Sequence, residues 1–261
     1  MTPSESPEPR PASLFESVRA VGSTPAPERA GQRWGFGAFL LVEAVFIMSA
    51  VFITALAASY GANYHNSVTY VLIGSIAPTV LAALAAIVIT KVRGNGPVVD
   101  LRFGFSKEDV AIGLKLGVVG LVLTYVAANV WAKIVGEQNA TSAVGDLVTQ
   151  ASLPVAAAVT MFVFVCFIGP VCEEIIFRGL LWGAVERQQW SGWAALALTT
   201  VIFAISHLEP LRTALLLVIA IPIGIARLVT RKLGASIVAH IMNNFLPGLT
   251  LLLVSIGVIP A

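Results

Sequence analysis

From Phe36 onward the chain alternates long apolar runs with short polar connections. Seven apolar segments can be read, at about 36–58, 68–90, 110–135, 155–189, 192–208, 211–229 and 233–257. A helix of about 20 apolar residues crosses the roughly 30 Å hydrocarbon core of a bilayer. The runs are continuous rather than alternating, which argues against a transmembrane β-barrel. The pattern predicts an all-α fold, a polytopic transmembrane helical bundle with about seven spans.

Local signals refine the boundaries. Ser106 and Asp109 make an S-x-x-D capping pattern ahead of the third segment. The fourth segment is apolar to about Phe177 and continues as a polar helix to Gln189, with Trp190-Ser191-Gly192 as the turn that ends it. Residues 1–33 hold six of the 14 prolines, with Ser, Glu and Arg between them. They read as a disordered cytoplasmic tail without the pattern of a secretory signal peptide. Residues 34–261 then form one multi-pass membrane domain.

Composition agrees with that solvent. Hydrophobic residues make up 57% of the chain and charged residues 11%, against about 25% charged in an average soluble domain. Mean hydropathy is +0.88. There is too little charge to coat a soluble core, which excludes a soluble globular enzyme, a disordered chain and a disulfide scaffold. A net charge of +2 gives no reason to expect nucleic acid as a partner. Cys166 and Cys172 lie in one apolar run and read as small packing residues.

The distribution of charge predicts orientation. Thirteen of the 16 Lys and Arg residues fall in the tail and in alternate connections, around 91–107, 178–187 and 227–232. By the positive-inside rule the N-terminus is cytoplasmic and the C-terminus outside. The expected location is a plasma membrane, with the lipid bilayer as the first partner.

Polar groups inside apolar runs carry the chemistry, since each costs about 2.5–3.5 kcal/mol at the bilayer centre. Lys133 sits near a helix end and can snorkel, and Glu43 and Lys115 can snorkel or pair. Glu173, His207 and His240 stand on three separate segments. The midpoint of 173 and 207 is residue 190, where the turn is, so an antiparallel hairpin brings both to one height, about 25 Å from the turn. Glu174 and Arg178 are spaced i,i+4, the favourable order for an ion pair, and read as structural. Glu173, rotated about 100° away, is left free. Phe203 and His207 are also i,i+4, as are His240 and Asn244. Interhelical hydrogen bonding alone could explain any one of these residues. A carboxylate, two histidines and an amide at matched heights fit a base, a proton shuttle and donors better.

At these positions the sequence resembles the CPBP intramembrane protease family, also called type II CAAX prenyl endopeptidases or the Abi family. The pattern E-E-x-x-x-R reads here Glu173-Glu174-Ile175-Ile176-Phe177-Arg178. The pattern F-x-x-x-H reads Phe203 to His207, and H-x-x-x-N reads His240 to Asn244. The three motifs occur in order on successive segments within about residues 150–255. The resemblance implies a conical catalytic cavity within the bundle and hydrolysis of a peptide bond in a membrane-associated or lipidated substrate. It assigns Glu173 and His207 to water activation, His240 and Asn244 to the oxyanion, and Glu174, Arg178 and Phe203 to the supporting motif. The family is described both as metallo- and as glutamic proteases. A zinc ion held by Glu173, His207 and His240 is one reading, since these make a His2Glu set. A metal-free glutamate mechanism is preferred, because H-E-x-x-H spacing is absent. The alternatives are a non-catalytic scaffold of the same fold and a proton-coupled transporter. No internal repeat supports the latter.

Overall fold

The computed structural model describes residues 14–27, 29–61, 67–136, 142, 145–146 and 153–259. The helices are α1 (Leu14–Ser23), α2 (Phe36–Ser59), α3 (Val68–Arg93), the single turn α4 (Pro97–Asp100), α5 (Lys107–Val135), α6 (Val155–Arg187), α7 (Gly192–Ser206), α8 (Thr213–Thr230) and α9 (Leu233–Ser255). The protein is a polytopic helical bundle.

Six of these helices are long and apolar enough to cross a membrane: α2, α3, α5, α6, α8 and α9. The seventh expected span is a correction. Helix α7 has 15 residues, about 22 Å, short of the hydrocarbon thickness. It stops at His207 because Leu208 turns left-handed (φ 55°) ahead of a Glu-Pro pair. The following loop continues away from α7, and the Leu211 carbonyl accepts a hydrogen bond from the Trp131 indole near the end of α5.

Two sequence signals act as expected at the start of α5. The Ser106 hydroxyl accepts from the Asp109 amide at 3.1 Å, and the Asp109 carboxylate accepts from the Ser106 amide at 2.9 Å. This capping box satisfies two otherwise orphaned donors. Large apolar side chains such as Leu40, Phe52, Val122 and Ile134 are exposed along the outer helices, as a lipid-facing surface requires. Helix α8 is the most enclosed span, with 56% of its apolar window buried against 11% for α2. Helix α5 packs closely on α9 through glycines. A Cβ at Gly117 would stand 2.8 Å from the Met242 sulfur, and one at Gly113 2.6 Å from the Ala235 carbonyl.

The segment before α2 also departs from expectation. Residues 1–13 lie outside the described residues, but 14–23 form a helix instead of a disordered stretch. Helix α1 packs on α7 and α8, and Trp34 is 2% exposed in the core. The Trp34 indole donates to Asp100 at 2.8 Å, and the Arg33 amide donates to the Arg93 carbonyl at 2.9 Å. Proline-rich composition describes a chain in isolation, whereas helix ends supply this segment with partners and an apolar slot.

Candidate active site

Helix α6 positions the first motif, and it is not a plain α-helix. Phe164–Ile168 and Glu174–Leu181 are π-helical, with α-helical turns before, between and after them. The first departure has a visible cause. In the π register the Gly169 amide donates to the Phe164 carbonyl, five residues back. The next donor in that register would serve the Val165 carbonyl, but it belongs to Pro170, which has no N–H. The side-chain amide of Asn244 on α9 donates to the Val165 carbonyl instead, at 3.1 Å. Asn244 thus mends the proline break, and one of its two amide protons remains for other work.

Glu173, Glu174 and Arg178 follow on the same helix. The Glu174 and Arg178 side chains are fully buried and pair at 3.3 Å. Arg178 also lies 4.5 Å over the Phe203 ring and reaches the Ala220 carbonyl at 3.5 Å. Burying two charges is tolerable only when they neutralise one another and find further partners.

His240 joins the two carboxylates. Its Nδ1 is 3.0 Å from Glu174 Oε1, and its Nε2 is 3.4 Å from Glu173 Oε2. The first distance is a hydrogen bond, while the second is longer than ordinary hydrogen-bond contact. The Glu173 side chain keeps 24% exposure, whereas that of His240 keeps 3%. The site therefore contains one sealed carboxylate that orients the imidazole and one accessible carboxylate beside it.

His207 caps the end of α7 and joins through aromatic contacts. Its ring meets Phe203 edge-on at 4.6 Å between centroids, and Phe203 stands 5.8 Å from the His240 ring. Its Nδ1 lies 2.7 Å from the Phe203 carbonyl, a geometry that assigns the proton to Nδ1 and leaves Nε2 as an acceptor.

Residues 155–246 match the family model for type II CAAX prenyl endopeptidases, Rce1-like. The match is confined to that segment, about a third of the chain. The chain is also similar to YdiL of Bacillus subtilis (strain 168), a protein described as a candidate membrane peptidase, with 33% identity over 97 residues. That alignment covers 37% of this chain and 39% of the relative's length. No solved structure matches. The family match begins with α6 and closes two residues beyond Asn244, so it takes in all three motifs.

The structure links Glu173, Glu174, Arg178, Phe203, His207 and His240 in one chain of contacts, with Asn244 one helical turn along from His240. Hairpin spacing pairs Glu173 with His207, whereas the contact made by Glu173 is to His240 on α9. The zinc alternative needs Glu173, His207 and His240 around one ion. Among the described residues no three His, Cys, Asp or Glu side chains stand together as a metal-holding group. His240 spends Nδ1 on Glu174, which leaves Nε2 as its one ring nitrogen for a metal. The side chains as arranged do not fit a preformed three-ligand cage.

Several supporting contacts had no signal in the sequence. The Asn243 carbonyl oxygen accepts from the Thr124 hydroxyl on α5 at 2.8 Å, which turns that amide away from its neighbour Asn244. Arg227 on α8 donates through Nε to the Arg178 carbonyl at 3.0 Å. Glu43 on α2 lies near Ser206, the residue before His207, and among the described residues it forms no ion pair with Lys115. Both cysteines are free and buried, and the Cys166 thiol lies 3.5 Å from the Asn244 carbonyl.

Proposed function

We propose that the chain is an intramembrane endopeptidase that hydrolyses a peptide bond with water activated at Glu173. The observation that carries this reading is the division of labour between two adjacent acids. Glu174 is sealed and spent on Arg178 and His240, while Glu173 is accessible and holds no full hydrogen bond to its neighbour. A general base needs a free lone pair within reach of water, and only Glu173 among these groups offers a carboxylate of that kind.

The chemistry runs on this chain's own residues. Glu173 takes a proton from water as the oxygen attacks the scissile carbonyl, forming the new C–O bond. His207, with its Nε2 free, accepts from and orients that water. The carbonyl oxygen becomes an oxyanion, toward which the remaining Asn244 amide proton and the His240 ring supply positive potential. The C–N bond then breaks, and the proton held by Glu173 passes to the departing nitrogen. The substrate class that suits a site between membrane helices is a membrane-associated or lipidated polypeptide.

Purified protein tests the reading. It is expected to cleave a membrane-tethered peptide, and His207→Ala is expected to lower turnover by about 10²–10⁴. Asn244→Ala is expected to cost about 10²–10³ through the oxyanion, with some loss of stability from the orphaned Val165 carbonyl. Turnover that survives exhaustive chelation is expected for the metal-free route. Loss of turnover on chelation, restored by zinc, would reject it. No cleavage of any tethered peptide by folded protein would favour the scaffold reading.

The proposed setting is a plasma membrane with the N-terminus in the cytoplasm. Support comes from one end of the bundle, where Arg29, Arg102 and Arg227 gather around Glu186 and Lys232 pairs with Asp109. Single cysteines near Arg93 and Arg231 are expected to label from the cytoplasmic side, and those near Asp146 and Asn63 from outside. Asn63 itself lies outside the described residues. Cytoplasmic labelling near Asp146 would invert the topology.

A further inference from the structure

The arginine-rich end of the bundle carries more positive charge than its partners neutralise. Glu186, at the end of α6, is the one carboxylate at its centre. It pairs with Arg29, with Arg102 at 3.2 Å, and at the long distance of 4.0 Å with Arg227. Its other oxygen also accepts from the Trp182 indole at 3.0 Å. Arg231 stands close by and shares a cavity wall with Glu186 and Arg227. Asp100, the nearest other acid, is occupied by the Trp34 indole and the Asn95 amide. Four guanidinia thus face one carboxylate. With Asp100 counted as a second negative charge and the C-termini of α6 and α8 adding about half each, an excess of about one positive charge remains.

The deficit is sharpest at Arg227. Its side chain is 1% exposed, and both terminal nitrogens lack a hydrogen-bond partner. Its Nε is committed to the Arg178 carbonyl, and its guanidinium lies 5.0 Å over the Trp182 ring. A buried cation with two donors unmet and its nearest carboxylate 4.0 Å away is short of counter-charge.

Arg231 ends α8 with φ 55°, and Arg102 has φ 54°. This left-handed region favours glycine, and glycine is the usual residue at such a helix end. The chain instead places an arginine at both positions. Burial depresses the Arg102 pKa, Glu186 opposes that, and Arg29 and Arg231 add to the depression.

A small cavity opens beside these groups. It is about 10 Å³, lined by Thr24, Trp182, Trp190, Arg227 and Arg231 together with Glu186, and holds one oxygen-sized group. A second cavity of about 60 Å³ adjoins at Glu186, between Arg29 and Arg187. Both lie at the ends of membrane-spanning helices, where headgroup phosphates sit. Basic pockets between such helices and flanking tryptophans suit that depth.

We propose that this cluster binds the phosphate of an anionic phospholipid headgroup, with one phosphate oxygen entering the small cavity toward Arg227 and the rest resting on Arg231. The lipid then supplies the counter-charge that Glu186 alone does not. Because Arg227 also holds the Arg178 carbonyl, the lipid contact bears on the helix that carries Glu173 and Glu174.

The test uses the full chain in detergent, titrated with phosphatidylglycerol, phosphatidylcholine or inorganic phosphate. Bound lipid is counted by native mass spectrometry, and thermal melting is followed in parallel. Phosphatidylglycerol is expected to be retained and to raise Tm, while phosphatidylcholine and millimolar phosphate do not. Arg231→Gln is expected to weaken retention about fivefold, the effect of one basic residue near an anionic surface. Arg227→Gln is expected to abolish it, but that variant also loses a bond to α6, so Arg231→Gln decides if it fails to fold. Lys133→Gln, at the end of α5, is expected to bind as wild type does. Equal stabilisation by inorganic phosphate would overturn the lipid as the ligand. Equal retention of the two lipids, or unchanged retention by Arg231→Gln, would overturn the site.

Discussion

Glu173→Gln is expected to lower peptidase turnover by at least about a hundredfold while leaving the fold intact. The amide keeps the size and shape of the carboxylate and removes its ability to take a proton from water. Stability is expected to change little, because Glu173 is partly exposed and its contact with His240 is 3.4 Å, too long to hold α6 and α9 together. Thermal melting of the variant against wild type checks the fold, and cleavage of a membrane-tethered peptide checks the chemistry. A folded Glu173→Gln protein that cleaves at the wild-type rate would place the base elsewhere. Glu174→Gln is the informative comparison. Its carbonyl oxygen can still accept from His240 Nδ1, but it no longer neutralises Arg178, so its first effect is expected on stability rather than on proton transfer.

Arg178→Ala is expected to be the most destabilising single change in the site, by about 3–5 kcal/mol. It strands the Glu174 carboxylate with no exposure to solvent, and it removes the guanidinium from above Phe203 and from the Ala220 carbonyl. Combining it with Glu174→Gln removes the stranded charge while keeping an acceptor for His240. The double variant is expected to recover part of the loss, which chemical or thermal unfolding in detergent can measure. Recovery cannot be complete, because the packing against Phe203 and Ala220 stays lost. Two losses that add without interaction would show that the residues are not energetic partners despite their 3.3 Å separation.

The ion pair and the loose acid are one design. Glu174 is buried so that it fixes the His240 ring, and Arg178 makes that burial tolerable. Glu173, one position along, keeps part of its carboxylate accessible. The π-helical turns of α6 belong to the same arrangement, since they surround the acids on both sides and leave the Val165 carbonyl for Asn244.

Much of this was legible along the chain. Continuous apolar runs fixed the helical bundle and its solvent, because a backbone in lipid must satisfy its own hydrogen bonds. The i,i+4 spacing of Glu174 and Arg178 foretold their contact, since helical neighbours meet without help from the rest of the fold. The same holds for His207 against Phe203 and for the Ser106–Asp109 cap. These relations are local, and local geometry is carried by spacing alone. Tertiary structure decided what spacing cannot reach. That Glu173 faces His240 rather than His207 depends on how α9 docks on α6. That Asn244 replaces the missing donor of Pro170, and that Arg227 braces the Arg178 carbonyl, depends on side chains some 50 to 80 positions apart. Helix α7 stopping short of a full span, and the proline-rich stretch before α2 taking up a helix and a buried tryptophan, follow from partners that no window of sequence contains. Hydrophobic pattern sets which segments leave water, but only packing sets which polar groups then meet, because a buried donor takes whichever acceptor the folded chain places within about 3 Å.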